Sequence, residues 1–155
     1  MKRPPPTLAR LLWAMPCSLL GLLLGALALA LGGSARRRGH TLEIALAVQQ
    51  ADVPVWAARL PFWAITLGHV IVGQSHEALA VLRSHERVHV RQYERWGVFL
   101  LLAYPASSLC AWLQGRCPYR GNRFEQQAFA QAANHNTAAC GCSTTGANTP
   151  HAPCG

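Results

Sequence analysis

The chain has 155 residues, 51% of them apolar, and fourteen Lys and Arg against six Asp and Glu give a net charge of +8. That length holds one small domain with appendages, and the sequence contains no glycine-rich phosphate loop, dinucleotide fingerprint, Ser-His-Asp signature or internal repeat. The basic balance favours an anionic membrane surface or an acidic partner; nucleic acid is not expected.

Residues 1–35 form a basic start and an apolar segment. Met1–Arg10 is proline-rich and carries Lys2, Arg3 and Arg10. Leu11–Gly33 is 23 residues without a charge, interrupted only by Pro16 and Ser18. At about 1.5 Å per residue it spans about 34 Å, enough for a hydrocarbon core of about 30 Å. It therefore reads as a single N-terminal membrane anchor. Two alternatives stand beside it: a signal peptide cleaved near Gly33-Ser34-Ala35, giving a secreted product, and a helix buried in the domain. Basic side chains on both ends leave the sidedness open, and the Arg36–Arg38 triplet suits anionic lipid headgroups.

Residues 36–133 read as the folded domain. Thr41–Val48 and Ala64–Val72 have strand character; in the second, Ile65, Thr66, Val70, Ile71 and Val72 are β-branched and Gly73 ends the run. Ser75 is the expected N-cap of a helix that runs to Trp96 and stops at Gly97. Ala78, Leu82, His85, His89, Gln92, Tyr93 and Trp96 share its inner face. Arg83, Arg87, Arg91 and Arg95 follow the other, towards solvent or headgroups. Val98–Leu113, with Tyr104 and Pro105, is apolar for 16 residues and reads as a buried backing helix, a second membrane element being the alternative. A further helix starts near Asn122 and runs to about Ala133. Residues 134–155, rich in Ala, Thr, Gly and Asn and containing three cysteines, are expected to be disordered. Cys110 and Cys117 can pair only if their loop folds back on the helix.

His85-Glu86-Arg87-Val88-His89 is an H-E-x-x-H sequence. Helical residues four apart lie roughly 5–6 Å from each other at Cβ, so both imidazoles can reach one zinc ion at about 2.0–2.1 Å. Glu86 sits about 100° round from His85, beside the metal position without ligating it, where a general base for a water nucleophile belongs. The plainer reading is two histidines on an apolar face. A catalytic zinc needs a third protein ligand, and Glu125 is the candidate. Glu94 is the weaker rival, on the arginine face. Asn122 and Glu125 also read as a capping box, which would claim the same carboxylate.

His85-Glu86-x-x-His89 followed by Glu125-x-x-Ala128 resembles the gluzincin class of zinc metallopeptidases, closest to the single-domain minigluzincins and to membrane-associated gluzincins. The resemblance covers about residues 41–133. It implies an α+β, helix-dominated fold: a strand pair or small sheet packed on an active-site helix, a backing helix and a glutamate helix, here with an N-terminal hydrophobic helix added. It implies zinc as cofactor, His85, His89 and Glu125 as ligands, Glu86 as catalytic base, and a peptide or protein substrate. By the same resemblance Thr66-Leu67-Gly68-His69-Val70 is the edge strand that receives substrate, where His69 would meet it; a structural histidine is the plainer reading of that residue. His69 and Tyr119 are the candidate substrate-binding donors to the developing oxyanion. Phe129 stands where the class often has an acidic partner for a ligand histidine. The alternative function is a non-catalytic zinc site in a membrane-associated scaffold or regulatory protein.

Overall fold

The structure, a computed structural model, describes residues 7–140, with side chains described to Asn134. It is rich in helix with a mixed four-stranded sheet, an α+β arrangement. In chain order the elements are α1 (Leu8–Trp13), α2 (Met15–Ala30), β1 (Ser34–Arg38), β2 (Thr41–Ala47), α3 (Val55–Ala58), β3 (Ala64–Leu67), β4 (Val70–Ser75), α4 (His76–Trp96), α5 (Leu100–Leu113) and α6 (Arg123–Cys140). The sheet order is β1-β2-β4-β3. The central pair β2/β4 is parallel, with Ile44 opposite Val72, and each outer strand is antiparallel to its neighbour.

Alternation divides the sheet between two helices. Ile44 and Val70 point to one face and meet Ala28 of α2, with Leu42, Leu46 and Val72 around them. Ala45 and Ile71 point to the other and meet Leu79 and Val90 of α4. Burying each of Ile44, Ile71 and Leu79 stabilises the fold by about 1.5–3 kcal/mol. Because a parallel pair covered on both faces has no solvated side, its strands read as apolar runs.

Two expectations are corrected here, and one strand is added that was not expected. Ala64–Val72 is two strands, not one. Leu67 pairs with Val70 across a two-residue hairpin loop, and Gly68 takes φ +61°, a conformation open to glycine and strained for other residues. A Cβ there would also collide with Ser18. The Arg36–Arg38 triplet lies in the exposed edge strand β1, which its composition does not announce. Finally, α5 is no buried backing helix: Leu100 and Ala111 are buried, but Leu102, Leu109, Trp112 and Leu113 are exposed.

The apolar N-terminal segment is also not one straight span. It breaks at Ala14, Pro16 falls in the first turn of α2, and α2 is 16 residues long, about 24 Å. Its stripe Cys17, Gly21, Gly25 and Ala28 is buried on the sheet. Among the described residues, the one helical stretch long and apolar enough to cross a membrane is the internal His76–Leu113. Helix α6 continues past Ala133 to Cys140; the rest of the expected disordered tail lies outside the described residues. Cys110 is a free thiol and Cys117 is disulfide-bonded, so the two do not pair.

The small stripe on α2 sets how closely helix and sheet approach. A Cβ on Gly21 would stand 2.7 Å from the Leu67 carbonyl oxygen and 2.8 Å from Val70 Cβ, and that carbonyl belongs to the β3/β4 hairpin and cannot step aside. Gly21→Leu is expected to destabilise the protein by about 1–3 kcal/mol through overpacking, read as a lower urea midpoint; Leu23→Ala, on the exposed face, should leave the midpoint nearly unchanged.

Candidate metal centre

Helix α4 is held in place from its start. Ser75 Oγ accepts from the Ala78 N–H at 3.0 Å, the expected N-cap, and Gly97 ends the helix at φ +56°. Between these ends His85, Glu86, His89 and Gln92 face inward and are buried. Helix α6 crosses this face and brings Glu125, itself buried, to the two imidazoles. Ala128, one turn on and fully buried, leaves room for the close approach.

The ligand-type atoms converge. His85 Nε2 and His89 Nε2 are 3.1 Å apart. His85 Nε2 lies 3.1 Å from Glu125 Oε2, and His89 Nε2 lies 3.2 Å from Glu125 Oε1. Two donors at about 2.05 Å from a tetrahedral zinc are about 3.3 Å apart, so these separations nearly equal the edges of such a site. The hydrogen-bond inventory points the same way. Glu125 Oε2 is buried and receives no well-aligned hydrogen bond, although His85 Nε2 is near. A buried carboxylate oxygen in that position costs free energy, which a cation among these three side chains would recover. This buried group could hold a metal ion.

Each ligand candidate has a partner that orients it. His89 Nδ1 is 2.9 Å from Gln92 Oε1. Gln92 Nε2 donates to the Phe124 carbonyl at 3.0 Å and to Gln127 Oε1 at 2.9 Å, which fixes its amide and makes Nδ1 the donor. Nε2 of His89 is thereby left as a lone pair towards the centre. Gln92 thus orients His89, while the Phe129 ring packs on His85 with centroids 4.7 Å apart. Gln92 stands three residues after His89 on the same face, a signal present in the sequence.

The competition between capping and ligation at Glu125 resolves through Asn122. Its Oδ1 accepts from the Phe124 N–H at 2.9 Å, and its Nδ2 donates to the Tyr104 carbonyl and to Ser108 Oγ. Asn122 caps α6, and the Glu125 carboxylate turns to the histidines instead. Tyr104 donates its hydroxyl to Glu125 Oε1 at 2.7 Å. Burial pushes the Glu125 carboxyl up, but the neighbouring His85 and His89 imidazoles and the Tyr104 hydroxyl more than reverse this and hold it well below the usual carboxylate range. Burial first, then the nearby Glu125 carboxylate, raises the Tyr119 phenol above the ordinary range and keeps it a donor.

Glu86 projects beside the group and accepts from Thr66 Oγ1 of edge strand β3 at 2.7 Å. His85, Glu86, His89, Tyr119 and Glu125 all line one cavity of about 1070 Å³. Its walls are apolar, with Phe62, Trp63, Ile65, Val81, Leu101 and Phe129 among them. His69 is not there. It sits in the β3/β4 turn against Ser18 and Glu94, on a separate cavity. Glu94, the rival ligand, joins that second group. Of the arginine face, Arg83 grips buried Glu43 at 2.9 and 3.2 Å, rather than facing solvent. No protein family, curated protein or solved structure matches the chain.

Gln92→Leu keeps the volume and removes the acceptor for His89 Nδ1. It is expected to weaken metal binding at His85, His89 and Glu125 by about 10–100-fold, measured by chelator competition.

Proposed function

We propose that this protein is a zinc-dependent peptidase of gluzincin type, associated with a membrane. The observation that carries the reading is the convergence of two imidazoles and one buried carboxylate beside a carboxylate that does not ligate, at the wall of a large cavity. Two nitrogen donors and one oxygen donor suit zinc among the common divalent ions and leave a fourth position open. When bound there, zinc would polarise a peptide carbonyl and lower the pKa of a water towards about 7.

The chain's own residues then have separate tasks. Glu86 takes the proton of the attacking water and returns it to the leaving amine. Thr66 holds one Glu86 oxygen and leaves the other to act. Tyr119, kept protonated, offers a hydrogen bond to the developing oxyanion. Among the described residues strand β3 pairs only with β4, so an extended peptide can add along its open edge. The apolar walls favour a substrate with large apolar side chains flanking the cleaved bond.

Exposed apolar surface supports the membrane association. Leu19, Leu23 and Leu27 on α2 and Leu102, Leu109 and Trp112 on α5 all face outward, more than a soluble monomer ordinarily displays. Alkaline carbonate washing should leave the full chain in the membrane pellet; recovery in the supernatant would refute the association.

Glu86→Gln is expected to retain zinc and fold while hydrolysis of a peptide library falls by about 10²–10⁴-fold. Glu125→Ala should lower zinc affinity at this centre at least tenfold and abolish turnover, since two remaining ligands hold the ion poorly. Wild-type protein that carries zinc and cleaves nothing, or a fully active Glu86→Gln variant, would sink the peptidase reading.

A further inference from the structure

We propose that His40, His69 and Glu94 form a second site for one divalent cation of the zinc class, apart from the His85–His89–Glu125 centre. Three elements distant in sequence meet there: the β1/β2 turn carries His40, the β3/β4 turn carries His69, and the C-terminal part of α4 carries Glu94. His69 Nε2 is 3.4 Å from Glu94 Oε1, and His40 Nε2 is 4.0 Å from the same oxygen. The two imidazoles stand edge to face with centroids 6.1 Å apart.

The hydrogen-bond inventory around His69 carries the argument. Ser18 Oγ donates its one proton to the Ala14 carbonyl at 3.0 Å, a bond within its own helix. Its lone pairs then accept the His69 backbone N–H at 3.1 Å and the His69 Nδ1–H at 3.2 Å. With Nδ1 as the donor, neutral His69 aims a lone pair at the Glu94 carboxylate, and both side chains are about nine-tenths buried. Two facing lone pairs repel unless a proton or a metal cation lies between them.

The separation favours the cation. A charge-assisted N–H···O⁻ bond closes to about 2.7–2.9 Å, whereas two ligands of one tetrahedral ion stay about 3.3 Å apart, close to the 3.4 Å observed. Burial, the largest influence, lowers the His69 pKa and favours the neutral, metal-ready ring. His40 completes the set. Its side chain is 49% exposed, so no packing holds the ring away from the pair. Arg37, on the rim, is occupied with the Gly39 carbonyl at 3.0 Å. The adjoining cavity of about 280 Å³ admits an ion and water. A cation here ties both turns to α4, a structural clasp.

The test uses the full chain and zinc itself, by equilibrium dialysis and by thermal unfolding with and without zinc. The proposal expects two zinc equivalents in the wild type and one in His85→Ala/His89→Ala. Adding His40→Ala or Glu94→Gln to that variant should weaken the remaining equivalent at least tenfold and abolish the zinc-dependent rise in Tm. His40 lies in an exposed turn, so its loss does not threaten the fold. Should the double-histidine variant not fold, cobalt titration of wild type against His40→Ala reads the second equivalent directly. A wild-type zinc stoichiometry that neither His40→Ala nor Glu94→Gln alters overturns the proposal and leaves an imidazolium–carboxylate pair only. Peptidase activity plays no part in these readouts, so this site and the catalytic reading fail independently.

Discussion

Everything at the candidate centre depends on one buried carboxylate. Glu125 is the group through which α6 meets the inner face of α4, and it does so without a cation among its direct protein partners that is permanently charged. Two imidazoles and two phenols surround it. Removing a carboxylate from water costs several kcal/mol; burial lowers the His89 pKa, but the Glu125 and Glu86 carboxylates more than reverse this. A positive charge among these side chains is therefore favoured, and the group could hold a metal ion.

That arrangement requires α6 to start at one place and turn at one angle. Asn122 supplies both constraints: its side chain closes the first turn of α6 and ties it back to the Tyr104 carbonyl and Ser108 of α5. Gln92 then clamps the other side by reaching the Phe124 carbonyl from α4. The centre is thus a three-helix junction whose polar atoms are nearly all committed to one another. Such a network is rigid when complete and costly when broken at a single member.

Much of this was legible in the sequence. Ser75, Gly97 and the inward-facing series around His85 and His89 located α4, because a cap, a stop and a 3.6-residue period are local signals. Glu125 was recognisable by its rarity among acidic residues and its distance from the histidines. Asn122 was read as a cap, but Thr66 as the partner of Glu86, the release of Glu125 from the capping role, and the displacement of His69 were not legible. Each depends on tertiary placement, and the last depends on Gly68, a turn hidden inside a β-branched run. The exposure of α5 was likewise unreadable, since an apolar helix looks the same whether protein or lipid covers it.

The stripe of small residues on α2 has a consequence for biosynthesis. Its docking surface, built by Leu42, Ile44, Leu46, Val70 and Val72, leaves the ribosome only after α2 itself. At about 5–20 residues per second, the apolar helix waits several seconds for the sheet that will receive Gly21 and Gly25. During that interval a bilayer or a chaperone has to shelter it. The order of the chain therefore leaves the apolar surface of α2 uncovered until the sheet that receives Gly21 and Gly25 has been made.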